Sequence, residues 1–325
     1  MIKVKKKSIK RCLIIIIIVL ILILGALIIL YFTSKQKLEE YNIELLELYA
    51  KLEVNNEYAS CLITPYKSEE VDALFNELLN TLNTNELSIY FEDLNNEYTL
   101  TINPDTIYYN ASIIKLFDAS YIIDNNVDLN DTITFTSEYR NLAKEGLLDY
   151  ELNAEVPIRD VMYYAISVSD NGAHRMLTDY IGVDNLRNYA HDTLGVNLTI
   201  NENDRFGYMN VTTTNTLLKH VYELLQNDNE YTTLLKDAMN NTYYNALNFD
   251  DITYLHKYGY YNQYFHDIGI YDDYYNPYTI SIFTLYGNPD TGALDEVSNI
   301  SKEIYNIYET NLDKKEEYCY NLAYN

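Results

Sequence analysis

Tryptophan is absent from this chain of 325 residues, and cysteine occurs three times, at Cys12, Cys61 and Cys319. No C-x-x-C or H-E-x-x-H pattern is present and the five histidines are dispersed. That argues against a metal site, and no cofactor is expected. Basic side chains are scarce beyond the N-terminus. Residues 1–32 hold six basic and no acidic side chains, which leaves 17 basic against 48 acidic in the remainder, a net of −31. So acidic a domain excludes nucleic acid as a partner and would be repelled by anionic lipid. Thirty-six tyrosines beside no tryptophan, with abundant Asn and Ile, read as AT-rich coding rather than as a binding surface. The same bias scatters N-x-[ST] matches such as Asn197-Leu-Thr199, which mark no glycosylation. No internal repeat or low-complexity linker follows Ser60.

What is present begins at the N-terminus. Leu13 to Phe32 is twenty residues without a charge, long enough to cross a bilayer as a helix. Lys3, Lys5, Lys6, Lys7, Lys10 and Arg11 precede it, so this end is expected in the cytoplasm and the rest of the chain outside. The run is too long for the core of a signal peptide and no A-x-A-like site follows, which favours an uncleaved anchor. Residues 1–12 then form a basic cytoplasmic tail, 13–32 the anchor, 33–62 a stalk and 63–325 a single domain. In the stalk, Leu38, Tyr41, Leu45, Leu48 and Leu52 recur at steps of three and four, a short helical seam. Two heptads suit a helical stalk; a dimer formed through it is a secondary expectation, and the oligomeric state stays open.

Ser68-Glu-Glu-Val-Asp opens a helix reaching Leu82, by its cap residue and acidic first turn. Strands are expected at Leu87–Leu94 and Tyr98–Ile102, with Asn95-Asn96 as their turn. A helical stretch from Ser112 to Met239 follows, including Ile158–Ala165 and Asn171–Ile181. Strands return at Ile252–Tyr258, His266–Tyr271 and Tyr278–Tyr286, and a charged periodic helix closes the chain from Leu294 to Leu322. This order implies an α+β fold whose sheet draws strands from both ends of the chain, with a helical lobe inserted between them.

Three short motifs carry chemistry. Ser112-Ile-Ile-Lys115 puts a hydroxyl and an amine one turn apart on one helix face. A serine needs a base to attack a carbonyl, and a lysine serves if burial or nearby cations depress its pKa. Ser169-Asp170-Asn171 would offer a hydroxyl and an amide at a loop entering a helix, and the same letters also suit a helix N-cap. Lys257-Tyr258-Gly259 ends a β-like run, where a lysine can bind a carboxylate and a glycine admits close approach. The letters alone are weak. Ser34-Lys-Gln-Lys37 repeats the first pattern at the membrane edge, and Lys144-Glu-Gly146 repeats the third in a polar loop.

In this order the motifs resemble Ser-x-x-Lys, Ser-Asp-Asn and Lys-Thr-Gly of the class A β-lactamase-like, penicillin-recognising serine hydrolases. Tyr109-Asn-Ala-Ser-Ile-Ile-Lys-Leu, the approach from Val156 to Asn171, Thr212-Thr-Thr and His266-Asp-Ile-Gly-Ile extend the likeness, which covers about Tyr66 to Asn325. The resemblance implies a five-stranded antiparallel sheet flanked by N- and C-terminal helices, with an inserted all-helical lobe. It implies Ser112 as acylated nucleophile, Lys115 as its base, Ser169 as proton relay and Asn171 as a substrate-positioning residue. Lys257 would attract the substrate carboxylate and tune the relay, Gly259 would let the ligand approach the backbone, and the amides of Ser112 and Tyr260 would form the oxyanion hole. The implied substrate is a β-lactam or a peptidoglycan stem peptide. Two departures stand out. Tyr258 replaces the family's small hydroxyl residue. The deacylating glutamate has no Glu-x-x-Leu-Asn counterpart, and Glu202 is the nearest candidate, with Asp204 beside it. Without that base a D-Ala-D-Ala carboxypeptidase-like penicillin binder, or a non-catalytic surface domain, remains open. The fold also implies neighbouring chain ends, so Cys61 and Cys319 could pair.

Overall fold

The computed structural model describes residues 56–324 apart from 96, 97, 251, 274 and 275, together with several positions between 24 and 38. Most of the expected anchor, 13–32, and most of the stalk seam lie outside the described residues. Among the described residues no helix is long and apolar enough to cross a membrane.

Two units are distinguished, residues 1–62 with 319–325, and residues 63–318. In the first, helix α1 (Asn56–Leu62) carries Cys61, which is disulfide-bonded to Cys319 with the Cα atoms 5.6 Å apart.

The larger unit begins with α2 (Glu69–Thr81), capped by the Ser68 hydroxyl, which accepts from the Val71 amide at 3.1 Å. Strands β1 (Leu87–Asp93), β2 (Thr99–Ile102) and the short β3 (Tyr108–Tyr109) follow. Then come α3 (Lys115–Asp124), β4 (Thr132–Thr134), α4 (Ser137–Arg140), β5 (Glu155–Pro157), α5 (Ile158–Ile166), α6 (Asn171–Ile181) and α7 (Val183–Leu194). After β6 (Tyr208–Met209) run α8 (Val211–Leu225) and α9 (Glu230–Asn240). Strands β7 (Leu255–Tyr261), β8 (Tyr264–Tyr271) and β9 (Tyr278–Thr284) precede the terminal helix α10 (Ala293–Tyr324).

The main sheet has the order β2-β1-β9-β8-β7, antiparallel throughout. The five expected strands are all there, with β7 shifted about three residues toward the C-terminus. The inserted lobe is not wholly helical, which corrects the sequence reading. β3 pairs with β6 and β4 with β5. Ladders of two and three residues are too short for alternation to register in a sequence.

Two cores result. On one sheet face Ile89, Phe91, Ile280 and Ile282 pack with Val297, Ile300, Ile304 and Tyr308 of α10, the helical spacing read from sequence. The second fills the lobe around Phe117, Met162, Leu177 and Leu217. In the larger unit the first and last segments are tied together. Asn311 donates to the Tyr66 carbonyl at 2.9 Å, and the rings of Tyr66 and Tyr318 stack at 5.1 Å.

Candidate active site

Ser112 stands on a 3₁₀ turn, Ala111–Ile114, that runs directly into α3. Ala111 holds φ at 46°, in the left-handed region that costs a residue with a Cβ about 1–3 kcal/mol. Surrounding contacts hold the turn. His266 on β8 donates from Nε2 to the Tyr109 carbonyl at 2.9 Å and accepts the Thr284 amide on Nδ1 at 3.1 Å. Burial pushes the His266 pKa down to about 4, so the ring is neutral and these partners set its tautomer. Asn110 donates from its amide to the Gly207 carbonyl and from Nδ2 to the Phe206 carbonyl at 2.6 Å. Strand β7 passes beside the turn. A Cβ on Gly259 would sit 3.0 Å from the Asn110 carbonyl oxygen and 3.1 Å from the Ser112 amide nitrogen, so glycine is what lets the strand approach.

Lys115, one turn on from Ser112 and the first residue of α3, is fully buried. Its Nζ donates to the Ser169 carbonyl at 2.7 Å and to Asn171 Oδ1 at 2.8 Å, and lies 3.3 Å from Ser169 Oγ. Burial first, then the Lys144 ammonium, bring its pKa down to about 7 against the pull of Asp170 and Asp118. This depression brings the neutral amine, which a proton acceptor requires, within reach near neutral pH.

The second motif serves as a helix cap and as a source of polar groups together. Asp170 is the N-cap of α6, its Oδ1 accepting the Ala173 amide at 2.8 Å. Its Oδ2 takes the backbone amide of Lys144. This leaves Ser169, held at a φ of 56°, and Asn171 to meet Lys115. Lys257 reaches Ser169 from the sheet. Its Nζ donates to Ser169 Oγ at 2.9 Å and to the Tyr258 carbonyl at 2.8 Å, and lies 4.2 Å from the centre of the Tyr258 ring. Burial, and then Lys115, hold the Lys257 pKa well below the usual lysine range. The Ser169 hydroxyl thus links two buried amines.

Ser112, Ser169 and Asn171 face a pocket of about 140 Å³. Tyr109, Tyr244, Tyr258, Tyr260 and Tyr261 form much of its wall, which corrects the reading of tyrosine as coding bias alone. Ala111, Lys144 and Phe206 complete the lining, and sequence reasoning missed Lys144 and Phe206. Lys144 lay in letters set aside for sitting in a polar loop. Phe206 is a lone aromatic in an acidic loop, a signal visible only in retrospect.

No carboxylate lines the pocket among the described residues. Glu202 is not brought to it: the side chain is 73% exposed, and Oε2 lies 2.6 Å from Arg205 Nη2. Asp204 turns inward to accept the amides of Phe206 and Gly207. At Lys115 the loop presents instead the Phe206 ring, whose centre is 6.0 Å from Nζ and which packs on His174 behind it.

Residues 69–308 match the sequence pattern of the beta-lactamase enzyme family. The chain belongs to that family. Solved structures share the β-lactamase fold. PBP-A superposes with a TM-score of 0.63 at 20% identity, over 76% of this chain and 98% of its own. A PBP-A mutant solved as an acyl-enzyme complex with penicillin G gives 0.61 at 21% identity, over 76% and 99%. A β-lactamase from Chitinophaga pinensis DSM 2588 gives 0.60 at 20% identity, over 73% and 99%. Among curated proteins none matches the sequence. Within this family member, the three ordered motifs meet around one pocket, and the expected loop carboxylate is not part of it.

Proposed function

We propose that this chain is a membrane-anchored, extracytoplasmic serine hydrolase that opens β-lactam amides through an acyl-Ser112 intermediate. We further infer that it releases the acyl group slowly, in the manner of a carboxypeptidase-like penicillin-binding protein. The supporting observation is the asymmetry of the site: Ser112, Lys144, Ser169 and Asn171 line one pocket, the Ser169 hydroxyl links the buried Lys115 and Lys257 amines, and among the described residues no carboxylate lines that pocket.

Neutral Lys115 takes the proton as Ser112 Oγ attacks the amide carbonyl, forming a C–O bond and an oxyanion. The amides of Ser112 and Tyr260 receive that oxyanion, each such donor contributing about 3 kcal/mol. Collapse breaks the C–N bond, and Ser169 passes a proton to the leaving nitrogen, replenished through Lys115 and Lys257. Asn171 positions the acyl side chain, and the five tyrosines enclose it. Deacylation needs an activated water, and the loop expected to supply its carboxylate presents the Phe206 ring near Lys115 instead. The anchor, residues 13–32, rests on the hydrophobic run and its basic flank.

The test is a pair of measurements on the exported domain. Fluorescent penicillin should give a one-to-one adduct on the peptide containing Ser112, persisting for many minutes on intact-mass analysis. A chromogenic cephalosporin should show a burst of about one equivalent followed by slow turnover. Sustained rapid turnover would show that efficient deacylation occurs without a loop carboxylate, and would return the protein to the true β-lactamases.

A further inference from the structure

The expected receiver of the substrate carboxylate, Lys257, is poorly placed for that task. It is fully buried, its Nζ is engaged by Ser169 Oγ and the Tyr258 carbonyl, and the Tyr258 ring lies against it. Neither Lys257 nor Lys115 lines the pocket, whereas Lys144 does. We propose that Lys144 is the specificity-determining residue that binds the carboxylate on the leaving-group side of an anionic acyl donor. This rests on the acyl-serine reading above and names the substrate class of the same site.

Lys144 occupies a built position. Its backbone amide is held by the Asp170 carboxylate, so the residue is tied to the motif that supplies Ser169 and Asn171. Its loop packs hard against the start of α6. A Cβ on Gly172 would lie 2.6 Å from the Tyr139 carbonyl oxygen and 3.0 Å from Ala143 Cα, so the glycine brings the loop in. Beyond Lys144, Gly146 turns at a φ of 93° against the Tyr164 ring. Arg140 closes the loop by donating to the Tyr150 carbonyl at 3.0 Å.

The chemistry places the anion there. In penicillins, as in acyl-D-alanine peptides, the carboxylate sits on the carbon bonded to the nitrogen that leaves. Ser169 is the hydroxyl assigned to that nitrogen, and Lys144 is fastened to the residue after it. An exposed ammonium at that rim receives a carboxylate without requiring a buried charge. In a chain with a net charge of −25, a local cation also overcomes repulsion of an anionic substrate.

The experiment compares the acylation rate of benzylpenicillin with that of its neutral methyl ester, in the wild type, Lys144→Gln and Lys144→Arg. Lys144→Gln should reduce the preference for the free acid over the ester by about tenfold, the worth of one charge-assisted hydrogen bond. Lys144→Arg should restore most of it. Loss of the Lys144 charge also raises the Lys115 pKa, but that acts on both probes alike and cancels in the ratio. An unchanged ratio in Lys144→Gln, or an equal loss for both probes, would overturn the assignment to Lys144. Failure of the wild type to take up either probe would instead overturn the acyl-serine reading on which it rests.

Discussion

On the proposed acyl-serine reading, replacing Ser112 by alanine should abolish the covalent penicillin adduct, and Lys115→Met should slow its formation by about 10³-fold. The two variants separate nucleophile from base. Lys115 lies in hydrogen-bond reach of Ser169 and Asn171, and its pKa of about 7 reflects burial above all, then the neighbouring Lys144 charge. The sign of the pH dependence follows. Depression below the usual lysine value makes the amine neutral once pH exceeds about 7, so the labelling rate rises through that pH and flattens above it. In Lys115→Met that inflection disappears along with the rate. Stopped-flow labelling between pH 5 and 9 measures both. A rate that still climbs about tenfold per pH unit up to pH 9, with no inflection near 7, would mean that Lys115 stays protonated over this range and is not the poised base. Methionine fills the buried volume without a charge, and circular dichroism checks that the fold survives.

Reduction of the Cys61–Cys319 disulfide lowers stability by about 5 kcal/mol, on the loop-entropy relation for its sequence separation of 258 residues. Cross-linking so distant a pair removes much of the freedom of the unfolded chain. Within the larger unit itself, Asn311 and the Tyr66–Tyr318 stack hold its two ends together. Urea unfolding with and without a reducing agent gives the difference. A loss below about 1 kcal/mol would show that the reduced unfolded chain retains contacts between its ends.

That the motif residues come together was legible because their geometry is local or ordered. Ser112 and Lys115 are one helical turn apart, and Asp170 caps the helix that Asn171 begins. The order of motifs separated Lys257 from the matching letters at Lys144, yet Lys144 returned to the same pocket through a tertiary contact. Its amide finds Asp170, and Gly172 admits its loop, neither of which a sequence displays. Glu202 was read as a site residue from its position along the chain. Arg205, three residues on, claims its carboxylate, while Phe206 faces the pocket. The tyrosines were hidden differently: thirty-six of them drowned the five that matter. The disulfide followed only from the resemblance, since nothing local links Cys61 to Cys319.

The pairing of β1 with β9 has a consequence for how the molecule is made. The first strand lies between β2 and the last, in register from Leu87↔Thr284 to Asp93↔Tyr278. During synthesis β1 therefore waits through nearly two hundred residues for the partner that joins it to β8 and β7. Every residue assigned to the acylation step precedes β9 in the chain, yet Gly259 and Lys257 ride on a strand that stays detached from β1 until β9 arrives. A nascent or truncated chain ending before Tyr278 would carry all three motifs and remain chemically silent. The proposed nucleophile would thus be armed only when the chain is almost complete.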